Sequence, residues 1–218
     1  MTTETKYSRI KKEIGTTINL IVVSKYRSIP EILSIYNQGQ RVFAENRVQA
    51  LLERKENLPN DIEWHLIGHL QSNKVKYIAP FIHCIQSVDS LKILNEIQKH
   101  AKLFNRKIEV LLQVKVAKEE SKFGFSLNDL QDLLATYKAS DFDHIIVKGI
   151  MGMGTMTPDI DITKQEFEEL ATIFKQLKTT FFSTNTAFNT LSMGMSNDYM
   201  IAKSCGSTML RIGSAIFE

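Results

Sequence analysis

The chain has 218 residues, 27 Lys and Arg against 24 Asp and Glu, and a formal charge of +3. It is 43% hydrophobic and 23% charged, which excludes intrinsic disorder, collagen-like repeats and a disulfide scaffold. The basic residues are scattered with no long run of like charge, so no nucleic-acid partner is expected.

Cys84 and Cys205 have no CxxC spacing and read as free thiols of a reducing compartment. Met1 to Lys6 are polar with no apolar stretch behind them. The most apolar short run, Ile18 to Val23, is too short to cross a bilayer. A cytoplasmic protein without a membrane partner is expected.

Short β-rich runs alternate with stretches of helical period. Ile18 to Val23 is the first strand. Ser28, Pro30 and Glu31 then open a helix that Gly39 ends, a capping box with proline in the first turn. Arg41 to Ala44 is the second strand, followed by a polar helix from about Asn46 to Asn57. Glu63 to Ile67 is the third, closed by Gly68, with a helix near Lys74 to Ala79. Phe81 to Ile85 is the fourth. Leu91, Leu94, Ile97, Ala101 and Phe104 then line one helix face.

Ile108 to Val114 is the fifth strand, wholly apolar on one face. Leu127, Leu130, Leu134 and Tyr137 mark the next helix, and His144 to Ile150 the sixth strand. Thr163 and Glu166 form a capping box ahead of Phe167, Leu170, Phe174 and Leu177, with Asp159 and Asp161 as turn residues before it. Thr190 to Ser192 is a short strand, Ser196 to Ser204 a short helix and Thr208 to Ile212 the last strand.

Eight βα units result, with the last helix missing or short and a helix near Tyr7 to Lys12 available in its place. No linker or internal repeat interrupts them. The expected architecture is α/β, a single (β/α)8 TIM barrel over residues 1–218. A doubly wound open sheet stays open, because periodicity does not show closure, but no GxGxxG follows the first strand.

Barrel enzymes and binders place their chemistry where strands end. Lys25 ends the first strand at the rim of the mouth. A desolvated lysine there is a nucleophile toward aldehydes, whereas a rim lysine that reaches water is the plain alternative. Arg211 is a charge within the last strand and needs an acceptor. A structural ion pair and a ligand contact are both open.

Ser196, Gly213 and Ser214 fall at the ends of the last two strands, where backbone N–H groups and hydroxyls suit a phosphate. Simple turn and capping chemistry explains any one of them. His65 and His69 have i,i+4 spacing, but Gly68 breaks a helix and nothing completes a zinc site, so no metal is expected. Gly149 to Gly154 lacks the lysine of a P-loop.

These residues together resemble the pyridoxal phosphate homeostasis protein family, similar to the N-terminal barrel of alanine racemase. The resemblance is carried by Ile21-Val22-Val23-Ser24-Lys25, by Phe43-Ala44-Glu45-Asn46-Arg47-Val48-Gln49, and by His65-Leu66-Ile67-Gly68-His69-Leu70-Gln71-Ser72-Asn73-Lys74. Glu119-Glu120-Ser121-Lys122-Phe123-Gly124-Phe125, Leu191 to Asp198 and Gly206 to Phe217 complete it.

It implies that Lys25 forms a Schiff base with pyridoxal 5′-phosphate and that Arg211 faces the pyridine nitrogen. It also implies that Ser196, Gly213 and Ser214 hold the phosphate, that Asn46 borders the ring, and that Ser192 and Met193 lie in the same pocket. Departures from the family pattern are Ala44 for glycine, Arg47 for an aromatic, Lys115 for asparagine, and Tyr26-Arg27 for a small polar residue and lysine. They are expected to touch only the rim.

Arginine only donates hydrogen bonds and favours an unprotonated ring nitrogen, a poor electron sink. Racemisation also needs an acid/base group on each face of the substrate carbon. The second comes from another domain in the resembling racemase, and the length leaves no room for one here. The resemblance thus implies a non-catalytic carrier in cofactor homeostasis, with no catalytic residues and with pyridoxal-phosphate-dependent enzymes as clients. It leaves a monomer or a weak homodimer open. The alternatives are a weakly active racemase or transaminase, and a cofactor-free isomerase of a phosphorylated molecule with Lys25 as acid/base.

Overall fold

A computed structural model describes residues 4–117 and 123–218. Eight parallel strands close into a barrel in sequence order: β1 (Asn19–Val23), β2 (Val42–Glu45), β3 (Glu63–Leu66), β4 (Cys84–Val88), β5 (Ile108–Gln113), β6 (Ile145–Met151), β7 (Thr190–Ser192) and β8 (Met209–Ile212). Closure settles the open-sheet alternative. β8 returns to β1 with Ile21 opposite Arg211 and Val22 opposite Ile212.

The helices are α1 (Lys6–Ile14), α2 (Ile29–Tyr36), α3 (Val48–Asn57), α4 (Val75–Ile78), α5 (Leu91–Leu103), α6 (Leu127–Thr136), α7 (Ile160–Thr180), α8 (Tyr199–Ser204) and α9 (Ser214–Phe217). The last helix is short. It packs against α1, whose buried Tyr7, Ile10 and Ile14 cover that side of the barrel.

Strand alternation builds two cores. Outward residues such as Val22, Phe43, Trp64, Ile85, Val110 and Leu210 pack under the helices. Inward residues Ile21, Val23, Ala44, Cys84, Leu111, Met151 and Met209 form a separate cluster within the barrel. Buried polar residues share that interior, among them His65, Gln86, Ser192 and Arg211. Both cysteines are free thiols. No helix among the described residues is long and apolar enough to cross a membrane.

Local chemistry explains most element ends. At the start of α2, the Glu31 carboxylate accepts from the Ser28 N–H (2.7 Å) and hydroxyl (2.6 Å), and these bonds hold its carboxyl below the usual range.

Three expectations are corrected. β4 runs from Cys84 to Val88 rather than from Phe81 to Ile85. The N–H groups of Phe81 and Ile82 instead close the turn after α4 on the Ile78 carbonyl, and the buried polar pair Gln86 and Ser87 continues the strand. α7 starts at Ile160, capped by Asp159, whose Oδ1 accepts from the N–H of Asp161 at 3.0 Å and of Ile162 at 3.4 Å. Thr163 lies inside that helix, and Glu166 bonds the N–H (2.7 Å) and hydroxyl (2.6 Å) of Thr155 instead of a cap. α8 starts at Tyr199, so Ser196 stands in the preceding turn.

Candidate functional site

The barrel has a cavity at each end. The one at the C-terminal ends of the strands measures about 890 Å³ and is lined by Lys25, Asn46, Ser196, Arg211, Gly213 and Ser214, with Val23, Ile67 and Met153 as apolar walls. Six of the eight sequence-expected residues therefore meet at one mouth. Ser192 and Met193 do not line it. Ser192 is buried beneath Arg211, and Met193 points into the outer core.

Lys25 sits in a tight turn after β1, closed by the Arg27 N–H on the Ser24 carbonyl at 3.0 Å. Tyr26 holds a left-handed backbone there (φ 65°), an uncommon conformation for an aromatic residue, and is 79% exposed. Lys25 is exposed and makes no hydrogen bond or ion pair among the described residues.

A buried frame supports this turn. The Ser24 hydroxyl donates to Glu45 Oε1 (2.7 Å), and Arg54 Nη2 donates to the Arg27 carbonyl (2.7 Å). Arg54 Nε lies 3.6 Å from Glu45 Oε1, an ion-pair contact too long for a hydrogen bond. Burial pushes the Glu45 carboxyl up, opposed by the Ser24 hydroxyl and by Arg54. The frame places the ends of β1 and β2, and hence Lys25 and Asn46, side by side.

Arg211 is almost fully buried. Its acceptors are the Ser192 hydroxyl (Nη1, 2.6 Å) and the Gly152 carbonyl (Nη2, 2.9 Å). No carboxylate lies within 4 Å among the described residues, so the structural ion-pair reading fails. Burial pulls its pKa down to about 10, with the charge of Asp198 opposing. The guanidinium remains cationic at neutral pH and has N–H groups left for the cavity it lines. Asp198, the last residue of the block Leu191 to Asp198, also lines this cavity, a role its residue type alone does not signal.

Just past the end of β8, the Ser196 hydroxyl accepts from the N–H of Gly213 and of Ala215, both at 3.2 Å, and its own proton remains to be donated. Gly213 leaves little room for a side chain, since a Cβ there would lie 3.0 Å from the Val23 carbonyl oxygen, which would have to give way by a few tenths of an ångström. Gly68 is tighter still: a Cβ would fall 2.1 Å from the Asn46 carbonyl oxygen. Both glycines let backbone approach backbone at the mouth.

The second cavity, about 710 Å³, lies at the N-terminal end, and most of the charges that line it are paired, while Lys11 donates to the Tyr7 hydroxyl at 3.2 Å. Glu109 meets Lys148 (3.2 Å) and His83 (3.6 Å), His83 meets Glu63 (3.7 Å), and Arg41 meets Asp61 (2.9 Å).

The remaining sequence signals separate. His65 lies inside the barrel stacked on His83 (centroids 5.6 Å apart), whereas His69 bonds Asp89 (2.9 Å) in a loop. Phe123 stacks on His69 at 3.7 Å, so two motif blocks touch, while residues 119–122 of the block lie outside the described residues. Of the departures, Tyr26, Arg47 and Lys115 are exposed. Ala44 is not at the rim but fully buried in the inner core.

A parallel eight-stranded barrel with an isolated lysine after its first strand and a buried arginine in its last defines the class. The chain matches the family described as alanine racemase, N-terminal domain, over residues 4–218. It is 35% identical over 211 residues to the pyridoxal phosphate homeostasis protein of Pasteurella multocida, covering 94% of this chain and 88% of that one. It is 34% identical over 214 residues to that of Synechocystis, covering 97% and 95%. The chain belongs to the pyridoxal phosphate homeostasis protein family.

Among solved structures, PipY of Synechococcus elongatus superposes with a TM-score of 0.90 without pyridoxal phosphate and 0.87 with it bound, at 30% identity and 98% coverage of both chains. Alanine racemase of Clostridium difficile shares the fold at TM-score 0.74 and 15% identity, with 97% of this chain matching 55% of that one.

Proposed function

We propose that this chain binds pyridoxal 5′-phosphate at the C-terminal mouth of the barrel, covalently on Lys25, and serves as a non-catalytic cytoplasmic carrier and buffer of the cofactor. The observation that carries this reading is the meeting of an exposed lysine that has no partner among the described residues with a buried arginine whose acceptors there are both neutral. The names of the relatives, the cofactor bound to PipY and the two unbridged cysteines support it.

The residues fit the cofactor. It supplies an aldehyde that condenses with a primary amine with loss of water, and an electron-withdrawing ring. Lys25 is the amine at the mouth. The hydroxyls of Ser196 and Ser214 are donors for a phosphate, with Gly213 giving the close backbone approach. Asn46, which lines the same cavity, would border the ring. Ser192 and Met193 support the pocket from behind rather than contacting its contents.

Arg211 argues for holding over turnover. A guanidinium offers only donors and keeps its charge, so a ring nitrogen against it accepts and stays unprotonated. That withholds the electron sink that carbanion chemistry needs.

The test is direct. Purified protein loaded with pyridoxal phosphate should absorb in the near-visible range, and borohydride should fix the cofactor on Lys25, as mass spectrometry of the peptides reads. A chain that stays colourless after reconstitution overturns the reading. Amino-acid racemisation or transamination that disappears in Lys25→Ala would replace the carrier by an enzyme.

A further inference from the structure

Behind Arg211 runs a buried chain of hydrogen bonds that reaches the other end of the barrel. Arg211 Nη1 donates to Ser192 Oγ at 2.6 Å. The Ser192 hydroxyl lies 2.7 Å from Gln86 Oε1, and Gln86 Nε2 lies 2.9 Å from His65 Nδ1. Gln86 Nε2 also approaches the Met209 sulfur at 3.4 Å. Gln86 and Ser192 are fully buried and line neither cavity, whereas His65 lines the lower one.

One fact fixes the direction of every link. A guanidinium has no acceptor, so Ser192 must accept from Arg211 and can direct its single proton only elsewhere. That proton goes to the Gln86 oxygen. The Gln86 amide is thereby oriented, with its NH2 toward His65. His65 Nδ1 must then accept, which makes the ring a neutral imidazole with its proton on Nε2. Burial agrees, pushing the His65 pKa down to about 3. The reversed amide would leave the Ser192 proton without an acceptor in a fully buried site, a costly arrangement.

We propose that Gln86 is a positioning residue for Arg211. Its amide oxygen holds the Ser192 proton away from the guanidinium, so that Ser192 presents only a lone pair and Arg211 keeps a single pose at the upper cavity. His65 holds the amide in that orientation. The role toward the ring nitrogen rests on the function proposed above. The direction of the hydrogen-bond chain does not.

Wild type, Gln86→Met, Ser192→Ala and the double variant are titrated with pyridoxal phosphate by absorbance. Gln86→Met should raise the Kd about ten-fold and move the near-visible band of the loaded protein, because Arg211 loses its fixed pose. In the Ser192→Ala background the same substitution should change the Kd by less than about two-fold, because the link it acts through is gone.

Binding and spectrum that match wild type, or a loss that adds in full to that of Ser192→Ala, overturn the proposal, whatever happens to the Tm. The ring of His65 in the unliganded wild type, read by 15N NMR, decides where Gln86→Met does not fold: a proton on Nε2 supports the chain, and one on Nδ1 overturns it. A wild-type protein that takes up no pyridoxal phosphate defeats only the function proposed above. In that case, exchange of the Arg211 guanidinium protons decides, expected about ten-fold faster in Gln86→Met. Equal exchange rates overturn the positioning role.

Discussion

At the N-terminal end of the barrel, Glu109 has Lys148 and His83, His83 also has Glu63, and Arg41 has Asp61. At the C-terminal end, Lys25 has no partner among the described residues, and Arg211 is held by a hydroxyl and a carbonyl rather than by an opposite charge. Both cavities are of ligand size, so volume does not separate them. Pairing does. Charges that satisfy one another need nothing from solution and contribute to stability, whereas a desolvated cation left without an anion is ready to gain from one that arrives.

The contrast breaks most sharply at Lys25. Lys25→Ala should abolish borohydride fixation and weaken retention of pyridoxal phosphate more than about 100-fold, as equilibrium dialysis reads, with little change in Tm. Retention at the wild-type level would place the attachment elsewhere.

A smaller effect is expected at the phosphate side. Gly213→Ala sets a methyl group 3.0 Å from the Val23 carbonyl oxygen and should raise the Kd about ten-fold.

Between the two ends, His65 should produce an acid-dependent loss of stability. Its folded pKa is about 3 against an ordinary value of 6.5, so below pH 6.5 the unfolded chain binds a proton that the folded chain does not. Stability therefore falls as pH falls over that window, by about 1.3 kcal/mol at pH 5.5 relative to neutral pH. Urea titrations at the two pH values check this, and His65→Gln should lack that component.

The smallest effect belongs to the lower end. Glu109→Gln should lower the Tm by about 2–4 °C and leave the Kd for pyridoxal phosphate within about two-fold. The Glu109 carboxylate beside it raises the His83 pKa, so the stability His83 contributes is complete below pH 6.5 and fades as pH rises through the folded value. Glu109→Gln should flatten that decline.

Much of this arrangement was legible in the residues, for physical reasons. Strands that alternate into a barrel show their period, and a lysine or an arginine beside an apolar run stands out. Ser196, Gly213 and Ser214 were found because turns at strand ends favour small residues. What stayed hidden is polar and interior. Gln86 and Ser87 look like the end of a strand, yet they continue β4, because the barrel interior supplies partners that hydropathy does not see: Ser192 and His65 for one, the Gly68 carbonyl for the other. Asp159 reads as a turn residue because a turn and an N-cap use the same side-chain chemistry. The Thr163 and Glu166 pattern misled because the carboxylate found Thr155 across space.

The pairing of β1 with β8 carries one more consequence. Lys25 follows the first strand, while Arg211 lies in the last and Gly213 and Ser214 follow it, so these groups sit on the two edges that meet when the cylinder shuts. They come together only after nearly the whole chain has folded. A molecule that bridges them is bound by the closed form alone, and its binding free energy adds to the resistance of that seam to opening. Under the proposed function the cofactor would act as a clasp, and the heat resistance of the barrel would gauge how much of it is loaded.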